Sequence, residues 1–330
     1  MYKLTIAAGL LAIAGTAHAM DKPVLTVMTY DSFVSDWGPG PAIEEAFEAT
    51  CDCDLNFVGA GDGAALLARI RLEGARSDAD IVLGLDTNLT AAAAETGLFA
   101  PHGRTGDVFN LPVAWEDDTF LPYDWGYFAF VYDKANVPNP PTSFIDLVNT
   151  DLKIVIQDPR SSTPGLGLLH WVDAAYGAGA PKIWDGLADN IVTVTKGWSE
   201  AYGMFLEGEA DMVLSYTTSP AYHLIAEDDG TKAAAAFSEG HYMQIEVAAK
   251  LVNSDQPELA DAFLAFMMTD GFQGVIPTTN WMYPAVTPEG GLPVGFETLI
   301  TPEIALLTPA ADAPAARDKA LEIWLKYLSQ

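Results

Sequence analysis

Short runs of β-branched and apolar residues alternate with helix-patterned stretches from one end of the chain to the other. Val24 to Thr29, Asp54 to Val58, Asp80 to Leu85, Phe128 to Tyr132, Ile154 to Gln157, Val192 to Val194, Met212 to Tyr216 and Ile245 to Ala249 read as strands. The helices between them have recognisable ends. Asp62 is placed to cap Gly63 to Glu73, with Gly74 past the end, and Ser143 to cap the segment to Val148. Thr163-Pro164 and Ser219-Pro220 each set a hydroxyl before a proline at a helix start. The order β-α-β-α predicts parallel sheets with helices on both faces.

The 330 residues are too many for one ordinary core, yet no repeat and no Ser/Gly-rich linker divides them. Two lobes joined by strands that pass from one to the other satisfy both facts. Phe120 to Tyr132 and Gly240 to Leu251 are the candidate crossings. Residues 20–124 and 250–330 then form lobe 1, and 125–249 form lobe 2. Ligands of such sheets bind beyond the carboxyl ends of the strands, in an inter-lobe cleft.

Residues 1–19 are set apart. Lys3, an apolar stretch from Leu4 to Thr16, and Ala17-His18-Ala19 form a cleavable secretory signal. The stretch is shorter than the roughly 20 residues that span a bilayer. A location outside the cytoplasm is expected. Cys51 and Cys53, the two cysteines, are then either a local brace or two inert thiols, and no further ligands lie near them to complete a zinc site. A formal charge of −29 repels phosphodiester backbones and excludes a nucleic-acid partner.

No Walker loop, no Gly-x-Ser-x-Gly elbow and no zinc-spaced histidine pair occurs, so neither catalytic nor metal-ligating residues are assigned. Six strand-end segments carry aromatics and hydroxyls instead. Tyr30 and Trp37 lie in Tyr30 to Pro41, where aromatics and carboxylates suit a cation. Asp62 in Gly59 to Gly63 reads first as a helix cap. Ser161, Ser162 and Thr163 open a helix directly after a strand and suit a phosphate. Trp198, in a loop after a strand, is either a stacking plate or a lid on a core. Tyr216 to Tyr222 offers hydroxyls between tyrosines, and Trp281 stands among polar turn residues in need of a cover. The chemistry that fits is capture of a flat, partly cationic molecule.

At these segments the chain resembles the thiamine-binding periplasmic receptors of bacterial thiamine ABC importers. The likeness runs through Tyr30-Asp-Ser-Phe33, Asp36-Trp-Gly-Pro-Gly-Pro41, Ala79-Asp-Ile-Val-Leu-Gly-Leu-Asp86, Gly126-Tyr-Phe-Ala-Phe-Val-Tyr-Asp-Lys134, Ser162-Thr-Pro-Gly-Leu-Gly-Leu168, Leu214-Ser-Tyr-Thr-Thr-Ser-Pro-Ala-Tyr-His223 and Asn280-Trp-Met-Tyr-Pro284. It implies an α/β, two-lobed periplasmic solute-binding protein of the transferrin-like type II fold, which captures thiamine, thiamine monophosphate and thiamine diphosphate for an inner-membrane permease and ATPase. These are cargo, and no cofactor is implied. Family contacts carry over to Asp62, Gly63, Ser162, Thr163, Trp198, Tyr216, Thr217, Thr218 and Ser219. Tyr30, Trp37, Tyr222 and Trp281 fit as aromatic walls. A thiaminase I-like enzyme would need a cleft thiolate with a base, and Cys51 and Cys53 precede the second strand, away from these motifs. A ferric-ion receptor would show adjacent tyrosines, and a polyamine receptor several cleft carboxylates.

Overall fold

The computed structural model describes residues 22–328; the signal segment read at 1–19 lies outside them. Among the described residues eleven strands run as β1 Val24–Thr29, β2 Asp54–Gly59, β3 Ile81–Asp86, β4 Leu121–Asp133, β5 Ile154–Gln157, β6 Ile191–Thr195, β7 Met212–Tyr216, β8 Lys232–Ala234, β9 His241–Lys250, β10 Tyr283–Pro284 and β11 Ala305–Leu306. The helices are α1 Gly40–Glu48, α2 Gly63–Glu73, α3 Thr90–Ala94, α4 Phe144–Val148, α5 Thr163–Tyr176, α6 Ala180–Asn190, α7 Trp198–Leu206, α8 Pro220–Ala226, α9 Pro257–Phe266, α10 Asp270–Gln273, α11 Ile276–Thr279 and α12 Ala313–Leu328. No single helix among the described residues is long and apolar enough to cross a membrane.

The main strands follow the order β2-β1-β3-β9-β4-β7-β5-β6. Each end of this path is parallel, as the β-α-β-α pattern predicts: β1 with β2 and β3, and β5 with β6 and β7. The middle corrects that expectation. Strand β9 is antiparallel to both β3 and β4, and β4 is antiparallel to β7. A strand that comes from one half of the chain into the other cannot keep the direction of both sets, so the joint between them is mixed.

Strand β4 does this in a single run. From Leu121 to Tyr127 it pairs with β9, and from Phe128 to Tyr132 with β7. Apolar side chains fill a core on each side of that change. Leu25, Val27, Phe47, Phe263 and Phe272 pack around β1 and β3, whereas Phe144, Trp171, Trp184 and Leu214 pack around β5 and β7. The C-terminal α12 departs from the sequence division that groups all of 250–330 with lobe 1. It packs against α5 and α6 of the 125–249 segment, with Lys319 Nζ 3.0 Å from Asp173 Oδ1 and the Arg160 guanidinium over Trp324. Its apolar stripe, through Ala313, Ala320 and Trp324, found its partner far from the helices that precede it in sequence.

Cys51 and Cys53 form a disulfide. A fully extended segment would hold these Cα atoms near the limit of bridging; bends at residues 51–53 bring them to 5.3 Å.

Candidate functional site

A cleft of about 300 Å³ opens beyond the carboxyl ends of β1, β2, β5, β6 and β7, at the lower end of the size range of small-molecule sites. The loops that leave those strands, with the first turns of α2, α5, α7 and α8, build its walls, and β9 its floor. Tyr30, Trp37, Trp198, Tyr202, Tyr216, Tyr222 and Trp281 bring seven aromatic rings to it. Asp62, Thr163, Tyr216 and Ser219 add polar atoms.

The rings are held by specific contacts. Trp198 is the first residue of α7 rather than part of a free loop. Its indole stacks on Tyr202 at 4.9 Å, donates Nε1–H to Ser215 Oγ at 2.8 Å and lies 6.2 Å from Trp37. It is therefore fixed on one side and open to the cleft on the other. Trp37, 54% exposed, is the least covered ring. Trp281 meets Tyr222 edge-on at 5.4 Å and has a left-handed backbone, φ +56°. For a bulky residue that conformation costs on the order of 1–3 kcal/mol. Both its neighbours are anchored: Asn280 bonds Tyr30 and Asp124, and Met282 is buried.

A second layer lies under this wall. His223 meets the Tyr202 hydroxyl through Nε2 at 2.9 Å and Glu227 through Nδ1 at 2.7 Å, while the Tyr222 hydroxyl donates to the other Glu227 oxygen at 2.9 Å. Candidate metal-ligand atoms of His223, Glu227 and Asp229 gather here. All are already engaged, Asp229 with Lys232, so the cluster works as a hydrogen-bonded brace for two cleft tyrosines.

Asp62 overturns the capping reading. It occupies the N-cap position of α2, but its side chain makes no cap bond. Instead Oδ2 accepts from the Ser162 hydroxyl at 2.7 Å and from the Trp198 N–H at 3.1 Å, at the entrances of α5 and α7. Burial pushes its carboxyl up to about 6, against the pull of those two donors.

Four expected contacts do not line the cleft. Ser162 is fully buried behind Asp62. Gly63 donates its N–H to Thr163 Oγ1; a Cβ there would stand 2.6 Å from that oxygen and 2.8 Å from the Gly84 carbonyl, so glycine serves the close approach of α2 and α5. Thr217 and Thr218 are buried, the latter with its hydroxyl toward Met282 Sδ. In this tight turn at the start of α8, Tyr216 and Ser219 face the cleft and the residues between them point into the protein.

The floor holds residues that sequence reasoning missed. Glu246 and Gln244 of β9 line the cleft, as does Asn280. Glu246 Oε2 accepts from Tyr123 at 2.6 Å and Tyr30 at 3.0 Å, and Oε1 from Gln244 at 2.9 Å. Gln244 in turn accepts from Tyr216 at 3.0 Å. Burial drives Glu246 up to about 7, opposed by the tyrosine bonds and reinforced by Asp86. The signal was present: Gln244 and Glu246 are polar at a two-residue spacing in an apolar strand. From α7, Tyr202 and Leu206 join Trp198 at four-residue spacing, one helix face. Among the described residues, the cleft lining contains no Lys, Arg or His.

Residues 38–274 match the family model of the bacterial extracellular solute-binding proteins. The chain is 54% identical over 322 residues to the thiamine-binding periplasmic protein of Escherichia coli K12, covering 97% of this chain and 98% of that one. A solved structure of a periplasmic thiamin binding protein superposes with a TM-score of 0.91 at 55% identity, over 94% of this chain and 97% of that chain. The ferric binding protein of Campylobacter jejuni shares the fold, with a TM-score of 0.73 at 18% identity over 92% and 99% of the two chains.

Proposed function

The chain belongs to the bacterial extracellular solute-binding proteins and, within them, to the thiamine-binding periplasmic proteins, and from that membership we propose that its inter-lobe cleft captures thiamine, thiamine monophosphate and thiamine diphosphate. The protein is the substrate-binding component of an ABC importer with the two-lobed type II fold. It works in the periplasm, sent there by the signal read at residues 1–19, and hands its ligand to a permease and ATPase complex in the inner membrane.

The observation that carries this reading is the set of seven aromatic rings around a cleft that, among the described residues, has no basic residue in its lining. Each good ring face attracts a desolvated cation by up to about 2 kcal/mol. A thiazolium packed among Tyr30, Trp198, Tyr222 and Trp281 gains from several faces at once. The phosphate of the longer forms extends toward Ser162, Thr163 and the Tyr216 to Ser219 turn, at the entrance of α5. Asp62 already holds the Ser162 hydroxyl and the Trp198 N–H, so a phosphate must displace it or meet it protonated to use those donors. Among the described residues, lobe 1 is built from 22–124 with the α9 to α11 part of 250–328, and lobe 2 from 125–249. The change of partner along β4 between Tyr127 and Phe128 supports that division.

The protein carries its ligand unchanged and needs no cofactor. An enzyme of the thiaminase type would attack thiamine with a thiolate, and here Cys51 and Cys53 are bound to each other outside the cleft lining. Paired substitutions test the division of the site. Trp198→Ala is expected to weaken all three ligand forms, and Ser162→Ala to weaken the phosphorylated forms selectively. Equal loss for every form from both changes would contradict it.

A further inference from the structure

The floor of the cleft carries acidic residues in register. On β9, Glu246 pairs with Asp124 of β4 on one side and with Asp86 of β3 on the other. Cross-strand partners point to the same face of a sheet, so three carboxyl groups stand in one row. Asp86 and Asp124 are fully buried and Glu246 is 5% exposed, at the cleft surface.

Such a row is costly unless something neutralises it. Asp86 is satisfied locally by the backbone and side-chain amides of Asn88. Glu246 takes Tyr30, Tyr123 and Gln244 as donors, and Asp124 takes Asn280 Nδ2 at 2.6 Å. Asp124 Oδ1 finds no donor. Every group facing Glu246 is therefore either neutral or acidic: Tyr30 from the loop after β1, Asp86, Tyr123 and Asp124 from the flanking strands, Gln244 from its own strand, and Asn280 after α11. No cation from the protein reaches the pair through the cleft lining.

We infer that Glu246, with Asp124 behind it, is the charge-selecting element of the cleft: the two carboxyls share one proton in the empty site and present a single negative charge to a monocationic ligand. The inference deepens the thiamine reading and rests on it. Two neighbouring carboxyls cannot both ionise at low cost; burial displaces both upward, and the Glu246 charge raises Asp124 further. Near pH 7 part of the empty sites also carry a second proton, on Glu246; the ligand's cation holds Glu246 ionised and expels that proton, while the shared one stays on Asp124. The neutral donors Tyr30, Tyr123 and Gln244 orient the carboxylate without cancelling its charge.

The test compares wild-type protein with Glu246→Gln, and with Asp124→Asn as a second variant, each checked for folding by circular dichroism. Thiamine is titrated against its neutral thiophene isostere. The same titration with 1-benzylpyridinium against 3-benzylpyridine, neutral above pH 7, separates charge selection from thiamine recognition. Wild type is expected to prefer each cation by about 100-fold, and Glu246→Gln to lower that ratio of cation to neutral affinity at least about tenfold. Repeating the 1-benzylpyridinium titration at pH 7 in buffers of different ionisation enthalpy should show proton release from wild type and none from Glu246→Gln. An unchanged preference and unchanged proton release in both variants would overturn the inference. Failure of wild type to bind thiamine, with charge selection intact on the pyridinium pair, would overturn the thiamine reading alone.

Discussion

Asp62 and Ser162, one hundred residues apart in sequence, meet carboxylate to hydroxyl at 2.7 Å and tie the entrance of α2 to that of α5. The carboxylate sits where an anionic end of a ligand would find its donors. It acts as an internal occupant of that place, and its displacement is part of binding any phosphorylated form.

Replacing it by an isosteric neutral group should therefore shift selectivity. Asp62→Asn is expected to raise the affinity for thiamine diphosphate relative to thiamine by about tenfold, since a carboxylate–phosphate repulsion is removed. With the group at about 6, the wild-type ratio should also climb as pH falls through that value, and the variant's ratio should climb less. Isothermal titration at pH 5.5 and 7.5 reads both effects. A lower ratio in the variant would show that Asp62 helps the phosphate.

The indole of Trp198 is fixed on Tyr202 and Ser215, so its free face is pre-positioned. Trp198→Ala should weaken thiamine binding by about 100-fold with little loss of thermal stability, because the residue is only half-buried. Tryptophan fluorescence quenching by thiamine should fall in the same variant.

Glu227 does not line the cleft, yet it anchors Tyr222 directly and Tyr202 through His223. Glu227→Ala frees both rings and is expected to cost about fivefold in affinity, the worth of roughly 1 kcal/mol of lost positioning. The decline should appear as a faster off-rate in stopped-flow measurements. Glu227→Gln, which keeps a hydrogen-bonding oxygen, should recover part of it.

The raised position of Glu246 makes a stability prediction. Its carboxyl titrates near 7 in the folded chain against 4.5 normally, so the folded state holds the proton more tightly and stability rises as pH falls through 7 toward 4.5. Asp62 and Asp86, both near 6, add in the same direction lower down. Ligand-free wild type should melt higher at pH 6 than at pH 8, and Glu246→Gln should reduce the difference by about 2 °C. Scanning calorimetry of the two proteins decides it. An equal pH slope in both would mean Glu246 is ionised throughout.

What could be read in advance follows from where each signal is stored. The aromatic and hydroxyl residues of the strand-end loops stand out because strand ends are where α/β ligands bind, and Trp198, Tyr222 and Trp281 were legible on that ground. Ser162, Thr217 and Thr218 share those motifs but face inward, since a turn of consecutive hydroxyls cannot point them all one way. Glu246 and Asp124 were hidden inside strands that read as core, and their meeting depends on the β4–β9 register, which no local pattern specifies. The same holds for α12, whose partner helices lie more than a hundred residues earlier.

Calorimetric titration of refolded, ligand-free mature protein with thiamine, thiamine monophosphate and thiamine diphosphate, followed by mass analysis of the recovered ligand, tests the central claim most directly. Tight one-to-one binding with the ligand recovered intact is the predicted result. Absence of binding by all three, or recovery of cleaved thiamine, would contradict the account.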